Sequence, residues 1–531
     1  MKKPLVFSLT ASILLATNIN AQSMYEKFQE MQTQIELLQS EVIFLKQQTA
    51  LNNDSDPQDE DLLEDENKED KNEEQEVSED EEDDLEETLE YFDAKISKLN
   101  KATSGNHLKL SADYRFSLDH ISYKMANGDE INNDSFMSNR LWINTFYKAN
   151  NQLSFRAQLA YQKAFGSRSG TNATMADPAY NGYENFDWIT NENAYDGQIR
   201  LKSTYFLYKN DTFAGLDLPW TFSIGRRPST NGHLIHLRED DSSSSPMGHT
   251  INVEFDGLSS KFTLFQEWGT YVKLCAGRGL SNADVKFSPT PYAKTSDIPD
   301  IDLLGLIFVP YNDGHYSFNT QFYYANNLID MKDPNANNKS MGFETVGGLS
   351  SASANFIAQG IGHELSDFLD ESLFFVSGAY TKTDPKEDKS MLGSSNQEEG
   401  YSYWIGVQFP SLISNDGKWG FEFNHASQYF RSITYAEDTN IGSKVAARGN
   451  AYEAYFTQNL IKNYLSMQIR FTHIDYKYTG SNGFFGSTSG RSMNIDKIKQ
   501  AANAGDTQAK AMLSNVVDKA QDIRFYLRYR Y

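Results

Sequence analysis

Several segments between His107 and Tyr531 alternate apolar and polar residues with a period of two, and that alternation limits the fold more than any other feature of the chain. Leu108, Leu110, Ala112, Tyr114, Phe116 and Leu118 alternate with Lys109, Ser111, Asp113, Arg115, Ser117 and Asp119. Successive strand residues point to opposite faces, so this is a strand of membrane-spanning length with one apolar and one polar face. Leu153, Phe155, Ala157, Leu159 and Tyr161 repeat the pattern against Ser154, Arg156, Gln158 and Gln162; Ile199, Leu201, Tyr205 and Leu207 repeat it against Gln198, Arg200, Lys202 and Thr204. Residues 220–225, 316–324, 401–409 and 465–471 fit with varying regularity. The chain closes on Ile523, Phe525, Leu527, Tyr529 and Tyr531 alternating with Arg524, Tyr526, Arg528 and Arg530.

After residue 22 there is no run of about 18 apolar residues, so no transmembrane helix is expected. A soluble β-sandwich also alternates, but two features favour a closed membrane barrel. Trp142, Tyr147, Trp220 and Trp404 stand at segment ends, where an interfacial aromatic girdle belongs. The connections also alternate in length: Ala149–Gln152, Asp256–Ser259 and Leu460–Tyr464 read as tight turns, whereas those after the first, third and fifth strands read as long loops. A last strand ending on Tyr529 and Tyr531 resembles the insertion signal of Gram-negative outer-membrane proteins. The expected fold is an all-β transmembrane barrel over 105–531, with about 16 antiparallel strands (14 to 18, and even) behind an N-terminal α-helical coiled-coil arm.

The arm is read in four pieces. Residues 1–21 form a signal peptide, with Lys2 and Lys3 ahead of an apolar run from Leu5 to Ala16 and a small Ala21 at the cleavage site. Residues 22–50 form a coiled coil: Phe28, Ile35 and Val42 occupy a positions, and Met24, Met31, Leu38 and Leu45 occupy d positions. Residues 51–84 form a disordered acidic spacer. Between Asp54 and Glu90 there are 22 Asp or Glu against Lys68 and Lys71, which accounts for 20 of the chain's net charge of −24. Residues 85–104 form a second short coil helix through Leu85, Leu89, Phe92, Ile96 and Leu99. The rest is close to neutral and carries no basic stripe for phosphates, so no nucleic-acid partner is expected. Cys275 is the sole cysteine, which rules out an intramolecular disulfide.

Arg115, Arg156, Arg200, Lys202, Arg524, Arg528 and Arg530 lie opposite the apolar faces of their strands. A charge facing mid-bilayer lipid costs about 2–4 kcal/mol, so these residues should face the lumen, where they are candidates for setting selectivity. The alternative is that they pair with Asp113, Asp119, Glu254 and Glu422 and brace the wall. The facing of Arg226 and Arg227, at the end of a strand, stays open. His233, His236 and His249 with Glu239, Asp240 and Asp241 have no metal-site spacing, so a hydrogen-bonded loop is expected, with no metal and no cofactor. The Ser242–Ser245 run beside them belongs to no catalytic motif, and no enzyme activity is expected. Residues 495–517 read as helical with an interruption at Gly505, placed either as a partial plug or as a cap on the mouth.

The stretch Ile224-Gly225-Arg226-Arg227-Pro228-Ser229-Thr230-Asn231-Gly232, with His236-Leu237-Arg238 behind it and Phe255-Asp256-Gly257-Leu258 further on, resembles an uncharacterised family of Gram-negative outer-membrane proteins, a domain of unknown function treated as porin-like. The resemblance implies a barrel and carries over no substrate. A coil ahead of a barrel also resembles some trimeric anion- or phosphate-selective porins, in architecture alone. The expected function is a porin-like channel for passive diffusion of small hydrophilic solutes, leaning toward anions, in the bacterial outer membrane. Its expected partners are outer-membrane lipid and further copies of itself, as a trimer or dimer. The alternative is a non-channel anchor whose periplasmic coil and acidic arm bind cell-wall or periplasmic partners.

Overall fold

The computed structural model describes residues 107–166, 194–228, 231–282, 289–294, 299–331, 343–360, 362, 365–434, 439–462, 464–481 and 491–531. The signal peptide, both coil segments and the acidic spacer lie outside the described residues.

Sixteen strands close into one antiparallel barrel. They are β1 (Leu108–Met125), β2 (Glu130–Lys148), β3 (Leu153–Ala164), β4 (Tyr195–Asn210), β5 (Trp220–Arg227), β7 (Phe255–Phe265), β8 (Thr270–Leu280), β9 (Ile301–Asn312), β10 (Tyr316–Met331), β11 (Phe343–Gln359), β12 (Leu373–Pro385), β13 (Glu399–Pro410), β14 (Gly417–Ala426), β16 (Gly449–Ile461), β17 (Leu465–Tyr476) and β18 (Val517–Arg530). Two further short strands, β6 (Ile251–Asn252) and β15 (Ile433–Thr434), pair in parallel inside the barrel. Each barrel strand pairs with its neighbours in sequence, and β1 pairs with β18 to close the ring. Closure gives every strand two partners, which a sheet needs where lipid offers no hydrogen bonds. Among the described residues no helix is long and apolar enough to cross a membrane.

The period of two sorts side chains as expected on most strands; on β4 a register shift between Leu201 and Ser203 reverses it, so that Ile199 and Leu201 face out while Tyr205 and Leu207, expected on the same apolar face, turn inward opposite Arg156 and Ser154. On β1, Asp113, Arg115, Ser117 and Asp119 are buried inside, while Leu110, Tyr114 and Leu118 are exposed outside. Phe155, Leu159, Leu274, Phe322, Ile469 and Ile523 continue the exposed apolar surface around the ring. A belt of that extent matches a hydrocarbon environment rather than water.

Four expectations are corrected. The connection after the first strand is only residues 126–129, because β1 and β2 are 18 and 19 residues long and meet in a hairpin turn at Gly128. The connections after the third and fifth barrel strands are long, as expected. Asp256–Ser259 is not a turn but lies within β7, where pairing on both sides overrides the local turn preference of Asp-Gly. Trp142 and Trp404 point inward and are buried: Trp142 lies under the Arg140 guanidinium, and Trp404 donates to Glu422. Of the proposed girdle, Tyr147 is exposed, and Trp220 packs with Phe213 and Phe262 at the end with short turns.

The helical reading near the C-terminus resolves into Ile495–Asn503 and Thr507–Met512, each capped by an Asn494 or Asp506 side chain and separated at Gly505 (φ 102°). Ile495 and Val516 pack against Ile121, Ile474, Tyr476 and Ala520. These helices therefore cover one flank of the mouth on the long-loop side.

Phe525 sits mid-strand on the outer face of β18. Phe525→Arg should destabilise the folded barrel by about 2–4 kcal/mol, read by urea unfolding in phospholipid vesicles; Gln521→Arg, near the outer end of the strand, should cost far less.

Candidate functional site: an inward loop and the wall it grips

The two motifs that carried the family resemblance lie far apart in sequence and side by side in space. β5 pairs with β7 so that Gly225 faces Gly257, Arg226 faces Asp256 and Arg227 faces Phe255. Gly225 has φ 135°, and a Cβ there would stand 2.3 Å from the Thr204 carbonyl oxygen; at Gly257 it would stand 2.2 Å from that of Ala276. The strands approach too closely for any side chain at either place. Arg226 donates through Nε to the Lys202 carbonyl at 3.2 Å and stands 3.9 Å from Asp256, while Lys202 binds Glu254 at 2.7 Å. The motifs thus build the base of the connection between β5 and β7, whose described residues 231–254 enter the lumen.

That connection crosses the interior. Its short helix, Ile235–Glu239, brings Glu239 to a set of cations from three directions. The carboxylate lies 2.8 Å from Arg470 Nη1, 3.1 Å from Arg238 Nε and 3.5 Å from Arg115 Nη1, with the Tyr526 hydroxyl at 3.4 Å. Arg528 and Arg530 then donate to the Glu239 backbone carbonyl at 2.6 and 2.8 Å, satisfying the end of the helix. Arg238 Nη1 reaches Glu453 at 2.9 Å, and Lys444 from a second inward loop bridges Glu422 and Glu453 at 2.5 and 2.6 Å. Nearly all of these groups are under 5 % exposed. Opposite charges at hydrogen-bonding distance offset the high cost of removing each from water.

The other limb of the loop is held by neutral contacts. His249 stands between Ser377 and Ser402, 2.8 Å from each hydroxyl, and the Met247 amide donates to Gln321. Tyr323 donates to the Thr250 carbonyl at 2.9 Å, and β6 pairs with β15. Burial pushes His249 down to about 3 and His233 to about 4, so both imidazoles are neutral at pH 7. Among the described residues no three His, Cys, Asp or Glu side chains are placed to hold a metal.

The residues singled out from sequence fall in three environments. Arg115, Lys202, Arg524 and Arg528 face inward, buried, each against a carboxylate: Glu239, Glu254, Asp119 and Asp113 respectively. Arg530 lies 3.3 Å from Asp241 and donates to the Asp240 carbonyl, and Arg200 is half-buried across from Ala160. Arg156 is exposed on the inner face, 5.1 Å from the Phe146 ring centroid. Tyr529 and Tyr531 are on the outer face, and the Tyr531 backbone exchanges two 2.9 Å hydrogen bonds with Ala112 across the closing seam. Sequence reasoning missed Arg140, Arg238, Lys444, Glu453 and Arg470. The alternation of 465–471 would have placed Arg470 inside; Arg238 in its one-turn helix and Lys444 in a loop carry no such signal.

A closed sixteen-stranded barrel with an apolar outer belt and an ion-paired loop inside it defines a porin-like outer-membrane fold. The chain belongs to the family described as "Protein of unknown function (DUF3373)", whose model matches residues 130–531. No curated protein matches significantly. Among solved structures the chain is similar to OmpT, an outer-membrane protein of Vibrio cholerae (10 % identity, TM-score 0.42, covering 80 % of this chain and 97 % of that one). It is also similar to Pseudomonas putida OprB (11 %, 0.44, 80 % and 95 %) and to an anion-selective porin from Comamonas acidovorans (8 %, 0.43, 80 % and 99 %).

Two predictions follow from the loop. Glu239→Gln leaves Arg115, Arg238 and Arg470 buried around a neutral amide. It should cost about 3–5 kcal/mol of unfolding free energy and expose residues 228–254 to added protease, with the barrel strands still resistant. His249 is neutral when folded and has an ordinary imidazole when unfolded. Its contribution is therefore complete above about pH 6.5 and is lost as pH falls from there toward about 3, because only the unfolded state takes up the proton. In urea titrations His249→Gln should flatten the decline in stability between pH 6.5 and 4; an unchanged slope contradicts this account.

Proposed function

We propose that the chain is an outer-membrane channel through which small hydrophilic solutes diffuse, with a lean toward anions. The observation that carries this reading is the uneven lining of the barrel. The inward loops are fastened to β10–β14, β16–β18 and β1, whose inner faces are buried. The inner face of β2–β4 is less covered: Asn144, Phe146, Gln158, Tyr205 and Leu207 are half-buried, and Arg156 is exposed. Polar and charged groups left beside a lumen supply the contacts through which solutes are selected. In this reading Arg156 acts on selectivity directly. Arg115, Arg200, Lys202, Arg524, Arg528 and Arg530 act through the shape of the lumen, by holding the wall and the loop that narrows it.

The barrels associate as trimers or dimers in this proposal. Their coils, with Phe28, Met31, Ile35, Leu38, Val42 and Leu45 in the seam, stand in the periplasm and are helped to pair by tethering. The filling of so much of the interior favours a second reading, in which the barrel is a membrane anchor and the arm binds a periplasmic or cell-wall partner.

Planar-bilayer recording separates the two. Discrete conductance steps with a reversal potential displaced toward the anion are expected in a KCl gradient, and a closed barrel in every preparation overturns the channel. Deleting residues 24–50 should lower the oligomer number in detergent while leaving the barrel folded; an unchanged oligomer removes the role of the heptads.

A further inference from the structure

Five cations on β3, β4, β5, β7 and β8 have no carboxylate partner among the described residues. Among the described residues, Arg156, Lys209, Arg227, Lys261 and Lys273 form no ion pair, in contrast to the neutralised wall opposite. Strand register places four inner-face positions in one row across β4, β5, β7 and β8: Lys209 faces Thr221, Thr221 faces Lys261, and Lys261 faces Lys273. The hydrogen bond between the buried Ser223 and Ser259 hydroxyls, at 2.9 Å, marks that face as interior, and the period of two carries it to Thr221 and Lys261. Like charges directly opposite in a sheet are destabilising, so an anion bound between Lys261 and Lys273 would relieve a repulsion built into the fold. The nearby carboxylates are engaged elsewhere: Glu254 with Lys202 and Asp256 with Arg226.

Three of the five also lie over aromatic rings. Lys261 Nζ is 4.0 Å from the Tyr271 centroid, the Arg227 guanidinium carbon 4.4 Å from that of Tyr205, and Arg156 approaches Phe146. A cavity opens between the inward loop and the wall here, where Arg227 and Lys273 meet an apolar surface of Pro246, Ile251, Phe255 and Ile307. Among the described residues Lys273 Nζ is bonded there only to the Ser245 hydroxyl, at 2.6 Å. The cavity is small, about 50 Å³, and open on one side, so it fixes the charged end of a ligand whose apolar body lies along the open apolar surface.

We propose that this side of the lumen binds small organic carboxylates, with the acid group held by Lys273 and Arg227 and the apolar body set against Pro246, Ile251, Phe255 and Ile307. The site deepens the channel reading and rests on it for how the ligand arrives. Lys261, Lys209 and Arg156 extend the positive surface along the same wall, so a carboxylate leaving the cavity meets further cations.

The test uses the full-length chain folded in detergent and titrated calorimetrically with benzoate, potassium chloride and inorganic phosphate at low ionic strength. Benzoate should bind, and Arg227→Gln and Lys273→Met should each weaken it at least tenfold. Lys273→Met should also raise the thermal midpoint, since it removes one of two facing like charges, whereas a lysine with a purely structural role would lower it. No benzoate binding, equal binding in both variants, a lowered midpoint for Lys273→Met, or inorganic anions binding as tightly as benzoate each overturn the proposal. If Lys273→Met does not fold, Arg227→Gln decides alone. Benzoate binding with no conductance in bilayers supports the site and overturns the channel reading; conductance without benzoate binding does the reverse.

Discussion

Glu239 is the point on which the interior of this barrel is organised. A carboxylate removed from water is costly, and here it is offset by Arg115 of β1, Arg470 of β17 and Arg238 of its own helix. The wall arginines Arg528 and Arg530 take the adjoining backbone carbonyls, so the last turn of the helix and its side chain are held by one set of cations. Because β1 and β18 form the closing seam, this grip also ties the two ends of the barrel sheet to the same loop. Lys444, Glu422 and Glu453 extend the cluster to a second loop, and β6 with β15 joins the two loops by backbone. The loop and the wall therefore share one set of buried charges.

This arrangement divides the lumen electrostatically. On the gripped side every wall cation considered has an acid beside it, and the charge is spent locally. On the side of β3, β4, β5, β7 and β8 the cations have aromatic rings and hydroxyls for neighbours instead. A solute passing through the barrel would respond chiefly to the second set, because charges paired at close range project little field beyond their partners. In the proposed channel, selectivity and loop anchoring therefore fall to opposite walls of one ring.

Much of the barrel was legible from period alone. A residue's face is decided by its parity along the strand, so Asp113, Arg115, Asp119, Arg524 and Arg528 could be placed inside before any coordinates. Asp256-Gly257 was misread because its local chemistry is that of a turn, whereas it lies inside β7 between two flanking strands. Trp142 and Trp404 were misread because β2 and β13 run past them on both sides, so that neither stands at a strand end and parity within the strand turns both inward. Lys261 and Lys273 were passed over because short strands with Ser, Thr and Gly on both faces give weak alternation.

The sequence by itself determined the barrel, its approximate strand number, the length contrast of most connections and the inward set of arginines, since all of these follow from local periodicity and punctuation. Only the tertiary structure decided which charges are paired. Arg528 meets Asp113 across a seam joining the two ends of the barrel, and Arg470 meets Glu239 from a loop more than 200 residues away. Ring closure and the path of one loop set those partnerships, and neither leaves a periodic trace in the chain. The same closure brings Gly225 opposite Gly257 and sets Lys261 facing Lys273, with neither in an ion pair among the described residues.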